Sequence, residues 1–245
     1  QEITRGDKRV ILQILITADS QDIHVEHSKK NPKDLSSQEV KEYLLASGSW
    51  PFINQRPYDV IANSADTPKA IFVSGINSAP LAGDLNFTLE GKKEFLKAGF
   101  EALEKLTIGK VHVTTMSSAT FMPETDAVVL HKGEGVHPIG LVSTQIAQID
   151  PINKGDKVWT VQIEDVAIIG ELFLTGKLNL ERKIALTGTG IEKPSYVTVI
   201  AGAQMKDVVA SNLKEGNYRI ISGNVLTGDK KSKEQSLGFY HNQVT

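Results

Sequence analysis

Residues 70–84 read AIFVSGINSAPLAGD, a short apolar run followed by a turn of small and polar residues. An apolar run of this length between turn signals is typical of a buried strand. Residues 88–107 then place apolar side chains on one side of a helix, and Gly109 lies beyond its end. Strand, turn and helix in this order predict the repeating unit of a parallel sheet covered by helices.

The same alternation continues toward the C-terminus of the chain. Two further strands are predicted at VHVTT (111–115) and AVVLH (127–131), and a short helix at 140–149. The Asp-Pro pair that follows ends this helix, because proline cannot continue it. WTVQIEDVAIIGELFLTGKL (159–178) is interpreted as strands with a helical piece inside. Strands that alternate with helices predict a Rossmann-like α/β fold.

Two other regions have patterns of their own. Residues 182–226 read as two strands, a helix and a closing strand, which is the order of a small β-grasp domain. Upstream of the α/β pattern, Ser36 and Glu39 form a capping box that predicts a helix over residues 36–46. These elements give the chain more than one compact unit.

The patterns divide the chain into four parts. We expect a partial N-terminal β segment over 1–30, where the alternating IHVEH predicts a strand. A Rossmann-like α/β domain is expected over 31–180, a β-grasp domain over 181–230 and a C-terminal tail over 231–245. The predicted fold class is therefore α/β, or α+β when the whole chain is counted.

The composition excludes several classes of function. The chain has 27 Lys+Arg and 29 Asp+Glu, so its net charge of −2 gives no electrostatic footprint for nucleic acid. It has no cysteine, which removes thiolate nucleophiles and Cys-ligated iron–sulfur or zinc sites. No apolar run approaches the roughly 20 residues that a membrane-spanning helix needs. We therefore expect a protein with neither nucleic acid contacts nor a membrane span.

The stretch HKGEGVHPIG (131–140) resembles a metal or phosphate site at first sight. His131, Glu134 and His137 recur at three-residue spacing, whereas zinc motifs on helices place histidines four residues apart. The alternative is a glycine-rich turn that leaves a strand, with Pro138 in the first turn of the next helix. We favour the turn, and His137 is the first residue to test if the turn binds a ligand.

Other signatures of chemistry are absent or have a structural interpretation. The turn after AIFVS contains no GxGxxG or Walker pattern, and the sequence has no GxSxG elbow. Asp156, Glu164 and Asp165 are predicted at surface or turn positions. Trp50 and Trp159 are predicted core or loop anchors, although tryptophans also line quinone and flavin pockets. No catalytic, cofactor or metal residue is assigned, and the candidates for ligand contact are His131, His137 and Trp50.

Three stretches in this order resemble one protein family. They are EYLLASGSWPFINQRP (42–57), HPIGLVSTQIAQIDPINKGDKVWTVQIEDVAIIGELFLTGKL (137–178), and RKIALTGTGIEKPSYVTVIAGA (182–203) with RIISGNVLTG (219–228). Together they resemble the A subunits of bacterial Na+-translocating NADH:quinone reductases. The resemblance covers essentially the whole chain and begins partway into the family's pattern. It implies that residues 1–30 are the remnant of an N-terminal barrel-sandwich segment.

The resemblance also implies a scaffold that has lost its cofactors. The family is similar in plan to the flavin- and NADH-binding subunit of respiratory complex I, in which a soluble-ligand-binding β-grasp domain follows a Rossmann-like domain. That relative holds flavin phosphate in a glycine-rich loop, where this chain has GSWPFINQRP with the bulky Trp50, Phe52 and Ile53. An acidic segment of the relative is replaced by SGINSAP, and its cluster-binding cysteines have no counterpart.

This likeness implies a peripheral, cofactor-free subunit of a sodium-pumping NADH:quinone oxidoreductase on the cytoplasmic side of the bacterial inner membrane. Its partners would be the other subunits, where flavins, an iron–sulfur cluster and NADH are expected. Its role would be assembly, with quinone as a further candidate ligand, and we expect no NADH oxidation by the chain alone. The alternative is a self-sufficient oxidoreductase that binds a flavin or nucleotide on the Rossmann-like domain.

Overall fold

A computed structural model describes residues 2–5, 8–11, 14, 16, 23–210 and 212–245 of the chain. Its strands up to residue 162 are β1 Glu2–Arg5, β2 Lys8–Ile11, β3 Asn54–Arg56, β4 Val60–Ile61, β5 Ile71–Gly75, β6 Val111–Met116, β7 Val129–Gly133 and β8 Val158–Gln162. β1 and β2 form an antiparallel pair. The other six form one sheet in the order β4-β3-β8-β5-β6-β7, in which β5 to β8 are parallel.

Helices cover both faces of this sheet. They are α1 Ser37–Ala46, α2 Leu85–Thr88, α3 Lys93–Glu104, α4 Val142–Ile149 and α5 Ile163–Thr175. On β5, Ile71 and Val73 face the large apolar core with α3 and α5, while Phe72 faces α4. The two-residue alternation of a strand thus gives both faces a buried apolar layer, as a parallel sheet requires. The predicted α/β fold class is confirmed.

The interpretation of residues 159–178 as strands with a helical piece inside is wrong in proportion, because β8 ends at Gln162 and the helical piece is the 13-residue helix α5. The helix is buried on nearly all sides, so apolar residues occur around its whole circumference and no 3.6-residue period is visible. Its isoleucines and valine also favour strands by propensity. Gly176 ends the helix with φ +75°, a left-handed conformation that glycine adopts without strain.

Three further local predictions need correction. The helix predicted over 88–107 is α3 alone, because Gly91 at φ +75° separates it from α2. IHVEH forms no strand; instead, the His27 N–H donates to the carbonyl of Gly176 at 2.8 Å. Pro138 does not lie in the first turn of α4, which begins four residues later, and its peptide bond to the preceding histidine is cis. The capping box at the start of α1 is present as predicted.

The second sheet has its own apolar core. Its strands are β9 Glu181–Leu186, β10 Ser195–Ile200, β11 Ile220–Ser222, β12 Asp229–Lys231 and β13 Gln243–Val244, and α6 spans Met205–Val209. The order is β10-β9-β13-β11-β12, with β13 parallel to β9. β13 is therefore a central strand, and residues 231–245 are not the predicted tail. A two-residue strand after a polar segment carries no periodic signal that sequence reasoning could detect.

Candidate functional site

A cleft of about 620 Å³ lies between the two domains, at the carboxyl ends of β5 and β8. The chain places β6 and β7 on one side of β5 and then β8 on the other, so the strand order reverses here. In open parallel sheets, ligands bind in the crevice outside such a reversal. The larger domain contributes Ser74, Gln162 and Glu164 to the wall, and the smaller domain contributes residues 240–243.

The smaller domain closes the turn that follows β5. The Tyr196 ring packs on Phe87 with centroids 4.5 Å apart, and its hydroxyl accepts the N–H of Asp84 at 2.8 Å. A Cβ added to Gly75 or Gly83 would lie 2.9 or 3.3 Å from side chains of neighbouring elements. These glycines therefore face protein, whereas a pyrophosphate needs an open approach to the backbone. The geometry does not favour a dinucleotide at this turn.

His137 lines the cleft and is held there by a serine. Its Nδ1 lies 3.0 Å from Oγ of Ser78, and the same Oγ accepts the N–H of Gly140 at 2.9 Å. The hydroxyl thus fastens the loop before α4 to the turn after β5. Of the three spaced polar residues in HKGEGVHPIG, His137 is the one that reaches the cleft.

A second cleft histidine has the same arrangement, and sequence reasoning missed it. Nδ1 of His241 lies 2.8 Å from Oγ of the buried Ser222, which accepts the N–H of Gly238 at 2.9 Å. Burial lowers the pKa of His241. The serine and the histidine are 19 residues apart, on β11 and just before β13, so no local spacing reveals the pair.

The charged groups of the cleft are one arginine and two carboxylates. Arg56 Nη2 lies 3.3 Å from Oδ1 of Asp59, while the buried Arg56 Nε has no hydrogen-bond partner within the part of the chain that the structure describes. Burial raises the pKa of Glu164, and the nearby Arg182 guanidinium partly opposes this shift. The cleft is therefore polar without a large excess of either charge.

A buried ion pair joins the two domains. Nη2 of Arg182 on β9 lies 2.7 Å from Oδ1 of Asp165 in the first turn of α5, and Nη1 donates to Asn242 at 3.0 Å. The guanidinium carbon also lies 5.7 Å from the ring centroids of Phe52 and Phe239. Burial raises the pKa of Asp165, and the guanidinium opposes this shift. The predicted surface or turn position of Asp165 is wrong, because its side chain is fully buried.

His131 lies outside the cleft, on β7. Its Nε2 is 3.0 Å from Nδ1 of His112 on β6, and burial together with this neighbour lowers the pKa of His112. Glu134 is exposed in the turn after β7. Among the described residues, no three or more His, Asp or Glu side chains are grouped so that they could hold a metal ion.

Trp50 is part of the apolar core. It is 5% exposed, and its indole N–H donates to the carbonyl of Ala62 at 2.7 Å. Its ring meets Trp159 edge to face with centroids 5.5 Å apart, and Trp159 donates its N–H to Gln55. Both indoles have their polar atom satisfied inside the protein, so the structure places Trp50 as an anchor and not on the cleft wall.

Two family models match the chain. The model described as the NqrA second alpha/beta domain matches residues 35–178, and the model described as the NQRA C-terminal domain matches residues 183–233. In the part of the chain that is described, no helix has the length and apolar character needed to cross a membrane. The two matches fall on the larger and the smaller sheet, respectively.

Curated relatives resemble the chain over nearly its full length. It is 37% identical over 247 residues to the A subunit of the Na(+)-translocating NADH-quinone reductase of Marinomonas sp. (strain MWYL1), covering 100% of this chain and 55% of the relative. It is 36% identical over 248 residues to the same reductase component of Neisseria gonorrhoeae (strain NCCP11945), covering 99% of this chain and 55% of the relative. The chain therefore spans about half the length of the curated relatives it matches.

Solved structures of an NAD+-reducing NiFe hydrogenase have a similar fold. The H2-reduced state gives a TM-score of 0.54 at 12% identity, covering 88% of this chain and 48% of that chain. The air-oxidized state gives 0.56 at 11% identity, covering 86% and 47%. This likeness shows the α/β fold alone, whereas the family models and the curated relatives agree in sequence. The chain belongs to the NqrA family, the A subunits of Na(+)-translocating NADH-quinone reductases.

Proposed function

We propose that the chain serves as a peripheral, cofactor-free part of a sodium-pumping NADH:quinone oxidoreductase, where it contributes to assembly. The observation that carries this proposal is the match of both domains to NqrA models. The relatives are named as one subunit of such a reductase, so the partners are its other subunits. The proposal assigns the flavins, the iron–sulfur cluster and the NADH site to those subunits.

The packing at two positions supports a subunit without its own cofactor. At the segment that corresponds to the flavin-phosphate loop, Phe52 and Ile53 are 1% and 0% exposed, and the Phe52 ring stacks on Phe239 at 5.3 Å. At the turn after β5, Tyr196 occupies the approach to the backbone. A bound phosphate needs open backbone N–H groups at such a turn. Both places are filled by side chains instead.

The finer parts of the proposal concern location and domain plan. We place the chain at the cytoplasmic side of the bacterial inner membrane, because it would dock on the membrane subunits of the reductase. The division into a β segment (1–30), a Rossmann-like domain (31–180) and a β-grasp domain from residue 181 is part of the same proposal. Contact with quinone is included because the relatives are named quinone reductases.

Ligand-dependent stability separates this proposal from a self-sufficient flavin or nucleotide enzyme. A ligand that binds the folded state must raise the melting temperature by mass action. We expect colourless protein, no shift with FMN or NADH, and no NADH oxidation. A short-chain ubiquinone in the same assay tests the quinone contact. Yellow protein, or a saturable shift with FMN or NADH, would argue for the enzyme instead.

A further inference from the structure

We propose that the cleft between the domains binds a small oxyanion-bearing ligand, a carboxylate or a phosphate, through the imidazole N–H groups of His137 and His241 and the guanidinium of Arg56. The site lies at the strand-order reversal, where such folds place their ligands. This inference goes beyond the proposed function and does not depend on it, because it concerns groups that this chain supplies alone.

The hydrogen bonds of Ser222 determine which ring nitrogen of His241 carries the proton. Its Oγ accepts the N–H of Gly238 and lies 2.8 Å from His241 Nδ1. Ser222 is 0% exposed, so within the described chain its hydroxyl proton has that nitrogen as its acceptor. A neutral imidazole that accepts at Nδ1 carries its proton on Nε2. Burial lowers the pKa of His241 and so favours the neutral ring.

His137 has the same pair of serine contacts in the other wall. Ser78 Oγ accepts the N–H of Gly140 and lies 3.0 Å from His137 Nδ1, and the proposal takes this half-buried hydroxyl to donate to that nitrogen as Ser222 does. The free edge of each ring is then a donor, Nε2–H, and both rings line the one cleft. Two fixed donors on facing domains suit a ligand that brings acceptor oxygens.

Arg56 adds a charged donor that Asp59 engages only in part. Its Nε is buried and unpaired among the residues described, and its contact to Asp59 is made by Nη2 alone. The Arg56 side chain as a whole is 27% exposed and lines the cleft, so a ligand oxygen there would accept from the guanidinium N–H groups that face the cleft. Charge-assisted bonds to carboxylate or phosphate are also about twice as strong as neutral ones.

Helix α4 favours negative charge at the same wall. Leu141 is its N-cap and offers no capping side chain, and Leu141, Val142 and Ser143 line the cleft. The first N–H groups of a helix attract anions. This attraction by the helix adds to the donors of the two imidazoles and the guanidinium. Those three side chains would form the site even without the helix.

The carboxyl groups of the cleft are compatible with an anion. Asp59 is 55% exposed and already lies beside Arg56. Burial raises the pKa of Glu164, which favours its neutral form. The cleft volume of about 620 Å³ accommodates a ligand of metabolite size.

Calorimetric titration of the purified protein tests the proposal, with inorganic phosphate and succinate as probes and chloride at matched ionic strength as the reference. We expect saturable binding of at least one probe, and the comparison of the two distinguishes phosphate from carboxylate. His137→Gln and His241→Gln should weaken Kd at least about tenfold, the loss expected for a charge-assisted bond. His131→Gln, whose ring lies outside the cleft, is the matched control and should change Kd less than about twofold.

The proposal is overturned if neither probe binds saturably, or if all three variants bind as the wild type does. It is also overturned if a short-chain quinone shows the histidine dependence while the anions show no binding. Long-range 1H–15N NMR of the wild-type imidazoles provides a second test without any substitution. We expect the Nε2–H form for His137 and His241 when the rings are neutral, and a neutral ring that carries its proton on Nδ1 in either residue would contradict the site. None of these results affects the test of assembly with the other reductase components.

Discussion

Arg182 and Asp165 show what single residues contribute where the two domains meet. Their side chains are 3% and 0% exposed, and Arg182 Nε and Asp165 Oδ2 lack partners in the described part of the chain. Taking two charges out of water costs several kcal/mol per ion, so such a pair is a weak source of stability. The pair instead fixes the position of β9 relative to α5, because each buried charge needs the other within hydrogen-bond distance.

Breaking this pair from either side should be costly. Arg182→Met leaves a buried carboxyl, and Asp165→Asn leaves a buried guanidinium that cannot lose its proton. We expect each change to lower the free energy of unfolding by about 3–5 kcal/mol, with the larger loss for Asp165→Asn. Urea denaturation measures both.

The double variant and an exposed pair serve as controls for that prediction. Asp165→Asn combined with Arg182→Met should cost less than the sum of the single changes. Glu26→Gln, which removes the exposed contact to Lys177, should change stability by less than about 1 kcal/mol. Additive losses for the buried pair would mean that the two side chains do not depend on each other.

Acid should destabilise the protein through His112. Burial, and then the neighbouring His131, lower its pKa from the ordinary value of 6.5. The unfolded chain then binds more protons than the folded chain, so stability that is present above pH 6.5 is lost as the pH falls through the folded value. We expect the free energy of unfolding to decrease more from about pH 7.5 to about pH 5.5 in wild type than in His112→Gln.

Asp165 also makes the free energy of unfolding depend on pH over this range, but in the opposite direction. Burial raises its pKa, so its contribution is present at low pH and is lost as the pH rises through the folded value. Both proteins contain Asp165, and the difference between their pH slopes therefore isolates His112. Equal slopes in wild type and His112→Gln would show that the histidine pair has no part in acid sensitivity.

Of the candidates named from the sequence, His137 lines the cleft, whereas His241 and Ser222 were missed. His137 stands out in HKGEGVHPIG because its spacing resembles a ligand motif. His241 and Ser222 acquire their relation only when β13 enters the sheet beside β11, which is a tertiary event without a local pattern. Trp50 was a candidate because aromatic residues suit both cores and pockets, and only packing decides between these roles.

At the scale of elements, the contact between α3 and α5 depends on two glycines that let the helices approach closely. Gly99 and Gly170 lie where the two helices cross, and a Cβ on either would collide with a backbone carbonyl oxygen of the other helix. The helices therefore pack backbone against backbone. The sequence of α3 alternates apolar and charged faces and was predictable, whereas beyond its first turn α5 has only Glu171 and Thr175 as polar residues, too few to mark a helical period.

Gly170→Ala tests this close approach. Alanine is the better helix former by about 1 kcal/mol, so propensity alone predicts a gain in stability. We expect a loss of at least about 1–3 kcal/mol instead, because the added methyl group must push the helices apart. Glu104→Ala at the exposed end of α3 should stay within about 0.5 kcal/mol of wild type. Urea denaturation that shows Gly170→Ala equal to or above wild type would contradict the packing.

At the scale of the whole molecule, the units built on the two sheets are joined by polar contacts as well as by packed rings. The Tyr240 hydroxyl donates to the carbonyl of Pro51 at 2.7 Å, and Gln162 donates to the Tyr240 carbonyl at 2.9 Å. The order of elements predicted the α/β class, and three long motifs predicted the family. Both were predictable because they depend on residues that are close together in the sequence. The cleft was not predictable, because it exists only where the second domain docks against the first.

Co-purification tests the central claim most directly. The full-length protein, tagged and expressed with the membrane subunits of the reductase, is isolated from detergent-solubilised membranes, and the bound proteins are identified by mass spectrometry. We expect the other subunits in stoichiometric amount, with flavin absorbance that is lost when the tagged protein is separated from them. A folded, tagged protein that leaves the membrane subunits behind, or that keeps flavin after separation, would contradict a cofactor-free role in assembly.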